Sequence, residues 1–142
     1  MLYFLAPFVG WFVSGTIKFI INYFRYGKEA KSRIGNGGFP STHTTVMVTP
    51  TALIGINEGI NSSIFGLAVA ATYIVIIDAL GVRRAIGEHA KLLNKITTHN
   101  SDIELVNKKL RESMGHTRME VLGGLILGIL IAFALSSIPF LR

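Results

Sequence analysis

The chain has 142 residues, of which 50% are hydrophobic and only 15% are charged, with a formal net charge of +6. Soluble domains carry about 25% charged residues, and a mean hydropathy of +0.50 excludes a disordered chain. The absence of cysteine excludes disulfides, thiolate catalysis and cysteine-based zinc sites. The composition therefore predicts an integral membrane protein, with residues 1–142 forming one domain.

Four apolar stretches predict an all-α bundle of membrane-spanning helices, since a span needs about 20 apolar residues. They cover about 1–24, 41–56, 64–80 and 119–140. The second is short, rich in Thr and interrupted by Pro50, so the alternative there is a helix buried between the other three. The first lacks the basic segment and cleavage site of a signal peptide, so we expect it to be a retained span.

Small residues recur at four-residue spacing in two of these spans. Gly10 and Ser14 form such a pair in the first span, and Gly124 and Gly128 form one in the fourth. Small residues at this spacing let helix backbones approach closely. We expect packing inside one bundle; a homodimer is the alternative, and the sequence does not define the oligomeric state.

The long connection 83–115 predicts an insertion lying at the membrane interface. Its apolar residues Ile86, Ala90, Leu93 and Ile96 fall on one helical face, while the rest of the segment is polar. Such amphipathic helices commonly lie in the plane of the membrane surface.

The loop charges predict the orientation. With four spans, loops 25–40 and 83–115 lie on one side of the membrane, and both termini lie on the other. The loop side holds eleven Lys and Arg residues, whereas the other side holds only Arg142. The positive-inside rule therefore places the insertion in the cytoplasm, and we expect the plasma membrane of a bacterium.

Ionisable and phosphate-binding residue types gather at the same predicted level of the bundle. Such residues in or beside a span are costly, and they are candidates for function. The group comprises Lys18, Arg25, Ser41, His43, Asp78, Arg83, Arg84, His116 and Glu120.

These residue types suit phosphoryl transfer from a lipid. His116 and Glu120 are four residues apart, so the carboxylate can hold one imidazole nitrogen and leave the other free to attack phosphorus. His43 can protonate the leaving oxygen. Gly38 and Ser41 precede a predicted helix start, where free backbone N–H groups bind anions.

The bases complete a predicted phosphate site. Arg83 and Arg84 offer two-pronged contacts to phosphate oxygens, and Lys18 and Arg25 add positive charge at the same level. We assign Asp78 to the catalytic group together with the two histidines and the glutamate.

The motifs resemble the type 2 phosphatidic acid phosphatase superfamily, and in particular its small divergent branch. That superfamily is marked by K-x6-R-P, P-S-G-H and S-R-x5-H-x3-D. Here Lys18-x6-Arg25 resembles the first motif, and Pro40-Ser41-Thr42-His43 the second. The third is split, because Arg83 and Arg84 end one span, and His116-x3-Glu120 opens the next. The runs GGFPSTH, DALGVRRAIGEHAKLLN and MGHTRMEVLGG resemble the divergent branch.

The resemblance implies hydrolysis of a lipid phosphate or diphosphate through a phosphohistidine, without metal or other cofactor. His116 is then the nucleophile and His43 the acid. His89, which follows Arg83 at the spacing of the third motif, competes for the nucleophile's role but lacks the carboxylate. The expected partners are a phosphorylated lipid and the bilayer; nucleic acid is not expected, because the bases have no interleaved aromatic platform.

Two other functions remain open. The first is non-hydrolytic binding or transport of a phosphorylated lipid. The second is a metal-dependent hydrolase with His43, Asp78, His116 and Glu120 as ligands, whose nitrogen and oxygen donors suit Zn or Mn.

Overall fold

The computed structural model describes residues 2–28, 38–99 and 109–138. Within them the chain forms helices and no strand, so the predicted all-α membrane bundle is confirmed. The helices are α1 (Leu2–Tyr26), α2 (Thr42–Glu58), α3 (Ser63–Leu80), α4 (Val82–His99) and α5 (Arg118–Ser136).

Three stretches of helix in the described chain are long and apolar enough to cross a membrane. They lie at Leu2–Tyr26, Ser63–Thr97 and Arg118–Ser136. The second predicted span, 41–56, corresponds to α2 and is not among them. Instead, α2 packs against α1, α3 and α5 at the centre of the bundle, which is the alternative that its Thr content suggested.

Side chains at the helix starts explain where the helices begin. Ser41 and Ser62 precede α2 and α3, and each accepts a hydrogen bond from the backbone N–H three residues later. Thr117 precedes α5 and forms a reciprocal capping box with Glu120. The first turns of three helices are therefore specified locally by the sequence.

Threonine hydroxyls let α2 occupy the centre of an apolar bundle. Thr45, Thr49 and Thr51 each donate to the carbonyl one turn earlier, at 2.8–3.0 Å. The hydroxyls of Thr51 and Thr72 of α3 lie 2.8 Å apart. Because a buried hydroxyl without a partner costs about 1–3 kcal/mol, these bonds make the polar helix compatible with burial.

The small residues predicted to serve packing lie against α2. A Cβ atom at Gly124 would come within 2.6 Å of the Ser41 carbonyl oxygen, and one at Gly128 within 2.8 Å of the Val48 side chain. A Cβ atom at Gly10 of α1 would likewise come within 2.8 Å of the Thr49 hydroxyl of α2. Close packing within one chain is thus confirmed for these glycines.

Helix α4 follows α3 after an interruption at Gly81. It packs on α3, and Ala90 on its apolar face is buried. Ile86, Leu93 and Ile96 on that face are exposed, as expected for a helix lying at a membrane surface. The placement of the insertion in the cytoplasm stays a prediction, and much of its second half lies outside the described residues.

Candidate active site

The segment before α5 delivers His116 to the end of α3. The backbone N–H of His116 donates to the carbonyl of Ala79 at 3.0 Å. The preceding Gly115 has φ +87°, and a Cβ atom there would come within 2.8 Å of the Arg84 backbone. Glycine at 115 therefore permits both the turn and the close approach that hold His116 against α3.

Glu120 orients the His116 ring. Its Oε2 lies 3.0 Å from His116 Nδ1 and also accepts the Thr117 backbone N–H at 3.0 Å. The histidine is only 8% exposed, so its ring is held by its surroundings as well as by this bond. The carboxylate therefore caps α5 and leaves Nε2 of His116 facing away from it.

Nε2 of His116 faces the second histidine, His43, which in turn lies beside the ion pair of Arg83 and Asp78. His43 Nδ1, in the first turn of α2, lies 3.5 Å from His116 Nε2. Arg83 Nη1 lies 3.3 Å from His43 Nε2. Arg83 Nε bonds Asp78 Oδ2 at 2.5 Å. The side chains thus form a chain from Asp78 through Arg83, His43 and His116 to Glu120.

One arrangement of protons satisfies the whole chain. Arginine can only donate, so His43 Nε2 accepts, and its Nδ1–H points to Nε2 of His116. His116 then carries its proton on Nδ1 and donates it to Glu120. In this state Nε2 of His116 is unprotonated, and its electron pair faces the His43 N–H; an unprotonated nitrogen is what a nucleophilic imidazole requires.

Ser41 connects the two helix starts that carry the histidines. Its backbone N–H donates to the Glu120 carbonyl at 2.8 Å, and its buried hydroxyl accepts from Thr44 Oγ1 at 2.9 Å. The serine hydroxyl is therefore occupied in structural bonds. The first N–H groups of α2, at Thr42 and His43, have no partner within the helix and favour an anion there.

A cleft of about 1180 Å³ opens beside the histidines. Its wider part is lined by apolar side chains, and its polar end by charged residues and both histidines. The cleft-lining residues include Trp11, Phe12, Gly15, Lys18, Phe19, Asn22, Thr42, His43, Val46, Met47, Ile74, Val75, Asp78, Arg83, Arg111, Ser113, Met114 and His116.

The cleft includes only some of the predicted phosphate ligands. Lys18 and Arg83 line it, whereas Arg25, Gly38 and Arg84 are not among its described lining residues. Arg84 lies one position beyond Arg83 on α4, so its side chain points elsewhere; it is 66% exposed and pairs with Glu88 at 3.5 Å.

Two further residues considered in the sequence, Gly38 and His89, also lie outside the cleft lining. Gly38 precedes Phe39, whose ring packs against Gly123 of α5, and this segment lies outside the cleft lining. His89 is exposed on α4 and does not line the cleft either. The geometry thus groups His116, and not His89, with a carboxylate.

Arg111, which was not predicted from the motifs, lines the cleft together with Lys18 and Arg83. The spacing Arg111-x4-His116-x3-Glu120 is one residue shorter than the third superfamily motif. This spacing could have predicted Arg111 as the arginine of the third motif. The motif was instead assigned to Arg83 and Arg84, which precede His116 by about thirty residues.

Asn94 of α4 holds the segment that carries Arg111. Its side chain exchanges two hydrogen bonds with the backbone of Leu110, at 2.8 and 2.9 Å, and donates to Glu112 at 2.8 Å. Next to it, a Cβ atom at Gly87 would come within 2.7 Å of the Glu112 carbonyl. Asn94 and Gly87 of α4 therefore fix the position of the chain segment that leads to His116.

The residues of the metal alternative do not form a ligand set. Among the described residues, no three His, Asp or Glu side chains are placed to hold one ion. Asp78 bonds Arg83, and Glu120 bonds His116. The arrangement instead brings cations and imidazoles together, which suits an anion.

Fold and cluster together define an all-α integral membrane protein with imidazoles and cations gathered at one end of a cleft. The family model described as "Divergent PAP2 family" matches residues 2–131. The chain is 32% identical over 114 residues to "Uncharacterized membrane protein YuiD" of Bacillus subtilis (strain 168), an alignment covering 70% of this chain and 71% of the relative. No solved structure matches significantly. The chain belongs to the Divergent PAP2 family, and the resemblance predicted from the motifs is confirmed.

Proposed function

We propose that this protein hydrolyses a membrane lipid phosphate or diphosphate through a phosphohistidine on His116, without a metal. The observation that carries the proposal is the contact between His43 and His116, with Glu120 behind one ring and Arg83 behind the other. This arrangement provides a nucleophile, a proton donor and a phosphate-binding cation in one place.

In the first step, Nε2 of His116 attacks phosphorus while the bond from phosphorus to the lipid oxygen breaks. The phosphate group must displace the contact between His43 Nδ1 and His116 Nε2, because these two nitrogens are 3.5 Å apart. Arg83 then turns from His43 to the phosphate oxygens, so Nε2 of His43 is released and takes up a proton from water, which makes the ring an imidazolium. The His43 imidazolium gives one proton to the leaving lipid oxygen.

In the second step, water attacks the phosphohistidine, and His43 accepts a proton from that water. The bond between phosphorus and Nε2 breaks, so inorganic phosphate and free His116 are restored. Glu120 stabilises the positive ring throughout, because its carboxylate holds Nδ1. Lys18 and Arg111, which also line the cleft, offset the charge of the phosphate.

Phosphate release by the purified protein tests this proposal. We expect release from a panel of lipid phosphates, unchanged by a chelator of divalent cations. Loss of release on chelation would support a metal-dependent hydrolase, and binding without release would support a lipid-phosphate binder or transporter. Either result contradicts the proposal.

Tyr3 donates to Glu58 at 2.8 Å, so the end of α2 lies at the start of α1, at the end of the bundle away from the histidines. We further propose that the active-site end faces the cytoplasm at the plasma membrane, on the basis of the eleven-to-one bias in loop charges between the two ends. Because the chain has no cysteine, single cysteines can report on each side. A membrane-impermeant thiol reagent should label Asn61→Cys in intact cells and spare Lys91→Cys. The opposite labelling would reverse the orientation.

A further inference from the structure

The cleft lies between two helices that do not pack on each other. Helices α1 and α3 both pack extensively on α2, whereas their described residues have little or no contact with each other. Val46 and Met47 of α2 lie at the base of the gap. Because α1 and α3 are both membrane-spanning candidates, the gap opens sideways, toward the hydrocarbon of the bilayer.

The cleft changes from polar to apolar along α1. Lys18 lies at the level of the histidines, and Trp11 lies seven residues earlier on the same helix, about 10 Å deeper along its axis. Trp11, Phe12 and Ile74 across the gap are 62%, 67% and 66% exposed. Large apolar side chains thus line the part that lies away from the charges.

The two ends of the cleft fit the two ends of one molecule. The charged end, with Lys18, Arg83 and Arg111, complements an anionic head group, and the apolar end complements hydrocarbon. The volume of about 1180 Å³ exceeds the roughly 300–1,000 Å³ of ordinary small-molecule pockets. It provides room for a head group and part of a chain.

We propose that the gap between α1 and α3 binds the apolar chain of a lipid phosphate, which enters sideways from the bilayer. The identity of the head group rests on the proposed function, whereas the chain site rests on the walls of the gap. The chain lies along Trp11 and Gly15 of α1, and its length determines how well the phosphate is held at His116.

Gly15 allows the groove to be filled without disturbing the fold. It lines the cleft, and a Cβ atom there would meet nothing within 4 Å. Gly66 of α3 is a matched control, since its Cβ position is equally open and it does not line the cleft. Leucine is also a better helix former than glycine, so both substitutions are compatible with their helices.

The chain site is tested by measuring kcat/KM of the Gly15→Leu variant with a long-chain and a short-chain substrate. With a dioleoyl phosphate monoester in bilayers we expect kcat/KM to fall about tenfold, as for about two methylene groups that lose their contacts. With the water-soluble dihexanoyl analogue we expect less than about a twofold change. Gly66→Leu should leave both values unchanged. Equal effects of Gly15→Leu on both substrates would overturn the inference.

Fluorescence quenching tests the chain site without any turnover. Trp11 is the only tryptophan of the chain. In bilayers with a small fraction of lipid phosphate carrying brominated chains, we expect stronger quenching than with brominated phosphatidylcholine at the same fraction. Gly15→Leu should remove this difference, and Gly66→Leu should keep it. Equal quenching by the two brominated lipids in the wild-type protein would overturn the inference.

The two assays separate the two claims. Preferential quenching without phosphate release would leave the chain site standing and reject hydrolysis. Phosphate release without preferential quenching, and with no chain-length effect of Gly15→Leu, would leave hydrolysis standing and reject the chain site.

Discussion

The α2–α5 contact and the α1–α3 gap are opposite kinds of helix pairing. Glycines at 124 and 128 bring α5 directly against α2, and the Ser41 N–H bonds the Glu120 carbonyl across the contact at 2.8 Å. No comparable packing joins α1 and α3 along their described residues. The close pair carries both histidines, whereas the open pair carries Lys18 and Asp78 beside an apolar groove.

This difference separates positioning from access. Groups that transfer a proton or attack phosphorus need fixed geometry, which close backbone packing provides. A lipid, in contrast, needs an opening toward the bilayer, and such an opening requires two helices that stay apart. The following variants test whether the two regions serve these separate purposes.

Gly124→Leu should have the largest effect, because it separates α2 from α5. Its Cβ atom would come within 2.6 Å of the Ser41 carbonyl, and overpacking costs about 3 kcal/mol or more where backbone must move. We expect a large loss of folded protein in detergent, measured by size-exclusion profile and thermal midpoint. Gly66→Leu, with open space at its Cβ position, is the control, and equal midpoints would refute the role of the contact.

Arg83→Lys should reduce kcat/KM at least about tenfold, the scale of one charge-assisted hydrogen bond. Lysine keeps the charge but cannot bond Asp78 through one nitrogen while another faces His43. Arg84→Lys is the matched control, since Arg84 lies outside the cleft lining and should tolerate the change within about twofold. Initial rates on lipid phosphate vesicles measure both, and a larger loss in the Arg84 variant would contradict the site.

Glu120→Gln should reduce kcat about fivefold, with folding preserved. The amide oxygen can still accept from His116 Nδ1 and from the Thr117 N–H, but it stabilises the positive ring of the phosphohistidine less than a carboxylate does. A thermal midpoint close to wild type serves as the check on the helix cap. Unchanged kcat would show that the carboxylate serves only as a cap.

Asn94→Ala should have the smallest effect, about two- to threefold on kcat/KM. It removes the bonds that hold the chain near Leu110 and Glu112, and exposed hydrogen bonds contribute little free energy each. Lys91→Ala, on the same helix, is the control. If both variants match wild type, the Asn94 contact does not position Arg111 or His116.

The helices were predictable because their signals are local. Each apolar stretch and each capping residue is contiguous in sequence, so the predicted 64–80 and the observed Ser63–Leu80 nearly coincide. Glu120 was predictable as the partner of His116 for the same reason, since four residues define one helical face.

The choice among the arginines was not predictable in this way. Which of Arg83 and Arg84 enters the cleft depends on how α4 leaves α3 at Gly81, a property of backbone direction with no local pattern. Arg111 lies in an irregular segment held by Asn94, so no periodicity marked it. The gap between α1 and α3 depends on long-range packing against α2.

Trapping the phosphoenzyme tests the central claim, that His116 is the nucleophile. The protein is mixed with a lipid carrying a radiolabelled phosphate and quenched in base, where phosphohistidine survives. We expect an acid-labile label on the wild-type protein and on His89→Gln, because His89 is exposed on α4 and lies outside the cleft lining. We expect none on His116→Ala. A label that persists in His116→Ala and disappears in His89→Gln would contradict the account and place the nucleophile on α4.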